Sequence, residues 1–290
     1  MLKELRGKYL FILPSLIFIF LFLIYPILYN VNLSFKNTTL INLLQGSDKY
    51  IGFMNYLSIF KDPIFLQVLS NTLLFTIVSI FFQFTFGFLL ALFFNSSDFP
   101  LKNFLQNLLM LPWFIPIIVK GHIWRWFFSD MGTINSFLIG VGLINNPIPW
   151  ISSTSLSIYS LIIANIWLGI PFNFILLYTG LKGLPVEMYE AAEIDGANFL
   201  QKTLYITIPS LKPVIITTIM MGCVFTIKVF DLAWIITKGG PANSSHLLST
   251  FSYSLSMEQS QFGLGATVSN IMILLVCLIT MFFNFQLSKD

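Results

Sequence analysis

The 290-residue chain is 56% hydrophobic and 17% aromatic, with 32 Phe, a mean hydropathy of +0.84 and only 9% charged residues. A soluble domain carries roughly 25% charged residues, so a water-soluble globular fold is excluded. The net charge of +3 is small and spread out, which gives no surface for nucleic acid, and Cys223 and Cys277 both lie in apolar runs, which argues against a disulfide framework or a metal site.

The chain opens on a basic head (Lys3, Arg6, Lys8) and a long apolar body. A cleaved signal would have a shorter apolar region and a small-residue cleavage site, so this stretch is expected to be a retained first span. A bilayer core of roughly 30 Å needs about 20 apolar residues. Six runs meet that demand, at about 9–31, 69–94, 103–128, 156–181, 209–236 and 266–287. The expected fold is all-α: one polytopic transmembrane domain, a bundle of six helices, with a single sizeable inner loop at 184–208. With the N-terminus inside, Lys3, Arg6, Lys8, Lys102, Lys182, Lys202, Lys212 and Lys289 fall on the cytoplasmic side. Lys36, Lys49, Lys61 and Lys238 fall outside. That bias, about two to one, places both termini and the 184–208 loop in the cytoplasm.

The third run holds Lys120, His122 and Arg125; the fifth holds Lys228 and Asp231. Charges at bilayer depth cost about 2.5–3.5 kcal/mol each, so they face a cavity or a partner. Lys228 and Asp231, three apart, are expected on one helix face, where they could neutralise each other. Arg125, between Trp124 and Trp126, suits interfacial anchoring. Pro112 and Pro116 are expected to break or kink the third run beside Trp113, and broken helices often line transport cavities.

Residues 184–213 carry four of the twelve carboxylates: Glu187, Glu190, Glu193 and Asp195. Pro185 suits a first helical turn, and the glutamates recur every third residue, forming one acidic stripe. Gly196 can take the left-handed conformation that closes a helix. A second amphipathic piece, 198–208, leads to Pro209. A helix lying on the anionic inner leaflet would favour Lys and Arg, so the stripe reads as a docking site for a protein partner. There is no GxxxxGK[ST] phosphate loop, no HExxH, and His122 and His246 are the only histidines. No catalytic or metal-ligating set can be argued.

Glu190-Ala191-Ala192, Asp195-Gly196-Ala197 and Ile208-Pro209 resemble the EAA loop of ABC-importer permeases. Over nearly its whole length the chain is similar to the first permease subunit of bacterial carbohydrate importers of the maltose and glycerol-phosphate type. Leu13-Pro14, Tyr25-Pro26 and Ser34-Phe35 fit that subunit's first span; 52–56 (GFMNY), Asp62-Pro63 and Asn71-Thr72 fit the approach to its second. Leu111-Pro112-Trp113 and Trp124-Arg125-Trp126 fit the third, and Trp167 with Pro171-Phe172 the fourth. Phe230-Asp231 followed by 237–241 (TKGGP) distinguishes the first permease from its partner subunit.

The resemblance implies a bacterial inner-membrane permease that forms a heterodimer with a second permease. Two cytoplasmic ATPases would supply ATP and Mg, so this chain carries no cofactor and is not an enzyme. An extracytoplasmic binding protein would deliver an oligosaccharide, and membrane lipid would surround the spans. Glu187, Glu190, Ala191, Ala192, Glu193, Asp195 and Gly196 would form the coupling helix seated in the ATPase. Lys120, His122, Trp113, Asn173, Lys228 and Asp231 would lie on the substrate pathway. The family usually has small or aliphatic residues at 120–122, so the cations here suggest an acidic oligosaccharide. A carboxylate of the partner permease could equally pair with Lys120. The readings set against this one are a secondary transporter or channel needing no ATPase, an ABC permease for a neutral sugar or a non-sugar solute, and a membrane scaffold.

Overall fold

The computed structural model describes residues 2–96 and 98–288. Of the basic residues counted above, Lys289 and the side chains of Lys3, Arg6 and Lys8 lie outside the described residues. The first apolar run forms α1 (Leu2–Ile19), a π-helical turn (Phe20–Ile24) and α2 (Tyr25–Ser34), followed by α3 (Leu40–Leu44) and α4 (Met54–Lys61). Then comes α5 (Pro63–Ser96), one helix of 34 residues. Asp62 starts it: its carboxylate accepts from the Ile64 N–H at 2.9 Å, and Pro63 occupies a position whose N–H would go unused.

The third run is three pieces, α6 (Lys102–Leu109), α7 (Leu111–Phe114) and α8 (Ile117–Phe127). Ile115 is driven to extended backbone (φ −77°, ψ 131°) because the following Pro116 forbids it the helical region. After α9 (Thr133–Gly140) and α10 (Ser157–Lys182) comes the acidic segment. It forms α11 (Val186–Ile194), α12 (Phe199–Lys202), a second π-helical turn (Thr203–Thr207) and α13 (Ile208–Ser210). The chain ends with α14 (Lys212–Ile227), α15 (Asp231–Ile236), α16 (Leu248–Tyr253), a third π-helical turn (Ser254–Glu258) and α17 (Phe262–Leu287). Among the described residues, Phe11–Ser34, Pro63–Ser96, Ser157–Lys182 and Phe262–Leu287 are each long and apolar enough to cross a membrane. Phe199–Ser210 and Lys212–Ile227, bent by 72°, together make a broken span.

Two compact units emerge. The first comprises residues up to 65 together with 251–273. Its helices are apolar outside and joined by polar bonds inside. The Asn55 amide donates to the Ser34 and Lys36 carbonyls, each at 2.8 Å, and Asn30 donates to Asn270 at 2.7 Å. Gly263 lies so near the Lys36 carbonyl that a Cβ would sit 2.3 Å from its oxygen. Small residues and amides of this kind hold helices together where apolar contact gives no preference over lipid.

The second unit, 66–250 with 274–290, has two cores. One gathers Phe75, Phe128, Leu161, Leu232, Ile236 and Leu247; the other Ala91, Phe94, Phe174, Leu177, Leu181 and Leu211. Close approaches set its helix packing. A Cβ on Gly87 of α5 would meet Asn173 Cβ of α10 at 2.6 Å, and one on Gly121 of α8 would meet Ile235 at 2.9 Å. The polar stretch after α15, expected to be an outer connection, is buried over residues 244–250. Ser245 donates to the Gly240 carbonyl (2.6 Å) and Thr237 Oγ1 (2.8 Å). From α5, Asn71 donates to the Ser244 carbonyl (2.9 Å), and Thr72 Oγ1 accepts from the Leu248 N–H (2.9 Å). The hydroxyls satisfy backbone that a loop would normally leave to water.

Candidate functional site

Four segments of the second unit converge on a cavity of about 190 Å³. Gln83 comes from α5, Trp113 from α7, Asn165, Gly169 and Phe172 from α10, and Gly222, Phe225 and Thr226 from α14. Trp113 and Phe172 stack with centroids 5.9 Å apart, and Phe225 meets Phe172 edge-on at 5.4 Å. Opposite this aromatic wall stand two amides. Gln83 Nε2 donates to the Asn165 carbonyl at 2.8 Å. It can cross to α10 only because Gly169 is there: a Cβ on that residue would fall 2.1 Å from Gln83 Cδ. Asn165 is 5% exposed, and its Nδ2 has no hydrogen-bond partner. A buried donor left unpaired costs about 1–3 kcal/mol. Gly222 leaves the α14 side open, a Cβ there meeting only Ile80 at 3.9 Å.

The residues picked from the sequence for a pathway divide around this cavity. Trp113 lines it. Lys228 borders it, its ammonium 4.9 Å from the centroid of the Phe225 ring. Asp231 is exposed at the first turn of α15. The pair is not on one helix face: α14 ends at Ile227, α15 starts at Asp231, and no ion pair joins Lys228 and Asp231 among the described residues. A break of three residues resets the helical phase, which is why the spacing misleads. Asn173 is buried in the α5–α10 contact, and its amide turns back to the Gly169 carbonyl at 2.9 Å. Lys120, 8% exposed on α8, lies outside the lining and has no hydrogen bond or ion pair among the described residues. His122 faces a different, apolar surface with Ile118, Val119 and Trp126. Arg125 is exposed and donates to the Ile235 carbonyl at 3.3 Å.

Gln83, Asn165 and Thr226 line the cavity but are not among the pathway residues expected from the sequence, of which only Trp113 and Asn173 are neutral. Neutral amides in an apolar run were the available signal, since hydrocarbon leaves them as costly as any unpaired polar group.

The acidic segment is built as a protruding knob. Pro185 is the cap of α11 (ψ 132°) rather than part of its first turn, as the spacing had suggested. The helix closes by a Schellman motif: Ala197 N–H donates to the Ala192 carbonyl at 2.9 Å, Gly196 N–H to Glu193 at 3.0 Å, with Gly196 at φ +79°. Asn198 and Gln201 then form a capping box that opens α12. Lys202 pairs with Glu193 at 2.7 Å, and Tyr189 shares a 3.0 Å hydrogen bond with Thr207, fixing the angle between the two arms. Ala192 is buried in the elbow. Glu187, Glu190, Ala191, Glu193, Asp195 and Gly196 are exposed, and between them Ile194 is 87% exposed. An apolar tip ringed by carboxylates suits a protein groove better than water or lipid.

The family described as binding-protein-dependent transport system inner membrane component matches residues 83–290. The chain belongs to this family. As such a permease, it is 30% identical to the lactose transport system permease protein LacF of Rhizobium radiobacter, over 98% of this chain and 94% of that one. It is 29% identical to the arabinooligosaccharides transport system permease protein AraP of Bacillus subtilis, over 97% and 88%. Its fold is that of a permease chain in a bacterial ABC transporter involved in the import of the acidic polysaccharide alginate, with a TM-score of 0.85 at 23% identity, covering 99% and 96%. The knob and all the residues that line the cavity lie within the matched residues.

Proposed function

We propose that the permease is one half of the translocation path of an ATP-driven oligosaccharide importer, working with a second permease, two ATPases and an extracytoplasmic binding protein. The observation that carries the substrate class is the cavity lining, in which the Trp113, Phe172 and Phe225 rings stand together with the polar side chains of Gln83, Asn165 and Thr226. A sugar ring has apolar C–H faces for aromatic rings and hydroxyl edges for amides, and this cavity offers both. The names of the relatives, which transport lactose and arabinooligosaccharides, support the same class. The knob would sit in a cleft of the ATPase. As a short helix stiffened by two caps and an ion pair, it would pass a rigid-body movement on to the broken span that follows it. The lysine count supports a cytoplasmic knob and cytoplasmic termini.

The finer reading is an oligosaccharide bearing a carboxylate or sulfate. It rests on Lys228, which like Lys120 and His122 is outside the lining but whose ammonium is 4.9 Å from the ring of the lining residue Phe225. The test is substrate-stimulated ATP hydrolysis by the purified importer, with its binding protein, against a panel of neutral and acidic oligosaccharides. A stimulating oligosaccharide is expected. If amino acids or inorganic ions stimulate instead, the substrate class is wrong. Lys228→Ala should weaken stimulation by an acidic sugar about tenfold while sparing a neutral one. Equal effects on both would leave a neutral substrate as the better reading.

A further inference from the structure

In the first unit, the stretch that joins α2 to α5 binds many of its own polar groups and turns apolar side chains outward. Asn37 binds Lys49 twice: its side-chain oxygen accepts the Lys49 N–H at 2.7 Å, and its N–H donates to the Lys49 carbonyl at 3.0 Å. Asn42 donates to the Asn37 carbonyl (2.7 Å), Lys36 pairs with Asp48 (3.1 Å), and Thr39 caps α3. Ile41, Leu44, Tyr50, Phe53, Met54 and Leu57 are all exposed, Leu44 at 79% and Phe53 at 68%. So much outward apolar surface marks a contact rather than a solvated loop. Two sets of contacts fix its depth. The Phe35 ring, one residue past α2, is stacked by Tyr50 at 6.1 Å and met edge-on by Phe53 at 5.2 Å. At the entry to α3, the Leu40 N–H donates to the Ser260 carbonyl (3.2 Å), and the Thr38 carbonyl accepts from Gly263, in the first turn of α17, at 3.0 Å. Helix α2 closes one span and α17 opens another, so both sets lie where spans emerge. The first span, Phe11–Ser34, has 24 residues, about 36 Å of helix against about 30 Å of hydrocarbon.

We propose that residues 35–57 form a collar lying in the membrane interface, with its apolar side chains at the boundary between head groups and acyl chains. The leaflet is the one that the lysine count places outside. Continuity selects lipid as the occupant. Leu28, Tyr29 and Val31 on the last turns of the span are exposed, and the Phe35 cluster carries that apolar surface on without a break. Lipid that covers the one therefore covers the other. Tyr50 suits this level, because aromatic rings with a polar tip collect at the bilayer boundary. Lys49 beside it is exposed and can lay its stem on apolar surface while its ammonium reaches the phosphates. A soluble protein docking from the water would have to reach below the level at which both spans emerge. Anchors of this kind set the depth and tilt of a span, here those of the first one.

The intact importer, in a Cys223→Ala and Cys277→Ala background, is reconstituted into phosphatidylcholine bilayers with a nitroxide at Ile41→Cys, Leu44→Cys or Phe53→Cys in turn. Collisions with oxygen, which concentrates in the bilayer, are expected to exceed those with a water-soluble nickel chelate several-fold at all three positions. The order should reverse at Ser47→Cys, an exposed polar position. Collisions dominated by nickel at 41, 44 and 53 would overturn the proposal. So would protection from both reagents: where it needs added binding protein the surface belongs to that protein, and where it does not, to the second permease. The unaltered importer supplies a check that needs no cysteine. Phosphatidylcholine with a photoreactive group near the glycerol end of an acyl chain should mark peptides covering 40–57, and marking confined to the spans would refute the collar. These readouts do not depend on which solute is carried.

Discussion

The knob and the cavity belong to the same compact unit, yet they are built on opposite plans. The knob is local: ten consecutive residues, 187–196, supply its carboxylates, its apolar tip and its closing glycine, held by bonds that span at most 18 residues of the chain. The cavity is assembled from four segments spanning 83–229, and each of its polar groups is neutral. A surface made to be gripped needs charge and exposure, and local sequence supplies both. A surface made to let a solute pass needs shape and unpaired donors, and these arise only from packing.

The largest expected effect falls on the cavity's architecture. Gly169→Leu would drive a side chain into Gln83, with the first added carbon already at 2.1 Å. Overpacking of this kind costs typically 1–3 kcal/mol, and uptake by cells expressing the variant should be abolished even where the protein inserts and assembles. Normal uptake would mean that the α5–α10 contact is looser than described. Next comes the knob. Gly196→Pro cannot adopt φ +79°, and Glu190→Lys reverses a charge on the exposed stripe. Either should reduce substrate-stimulated ATP hydrolysis more than tenfold while membrane insertion, followed by fractionation, stays normal. Unchanged stimulation would remove the knob from the coupling path. For Asn165→Ala the proposed pathway would lose one lining amide, about 0.5–1.5 kcal/mol if it bonds the solute, seen as a raised half-saturating concentration with the knob-dependent coupling intact. The smallest effect belongs to Glu193→Gln: an ion pair this exposed contributes about 0–1 kcal/mol, and thermal unfolding of the complex should barely move.

The same contrast decides what could be read in advance. The acidic helix itself, the Gly196 turn and the broken third run all followed from local chemistry: glutamate spacing, a left-handed position, and prolines at 112 and 116; only the start of α11, where Pro185 is the cap, fell one residue later than expected. The break between α14 and α15 carries no proline or glycine over 228–230, so Lys228 and Asp231 looked like helix neighbours. Residues 244–250 belong to the polar stretch that the lysine count sets outside with Lys238, but the hydroxyls of Ser245 and Thr250 turn inward to Gly240, Thr237 and their own backbone. Gln83 and Asn165 gave no sign of meeting, since 82 residues separate them and only the glycine at 169 lets them touch.

One feature of the framework ties these regions to a common motion. Helix α5 is about 51 Å of unbroken backbone, and no proline interrupts it after Pro63. Near its start Asn71 and Thr72 hold the buried stretch that follows α15, at its middle Gln83 lines the cavity and bonds to α10, and at its end Asn95 and Ser96 border the hollow beneath Glu193 and Lys202. A beam of that stiffness cannot bend to suit one attachment without dragging the others. A tilt imposed at its far end would therefore be felt at Gln83 and at the Asn71 and Thr72 attachments together.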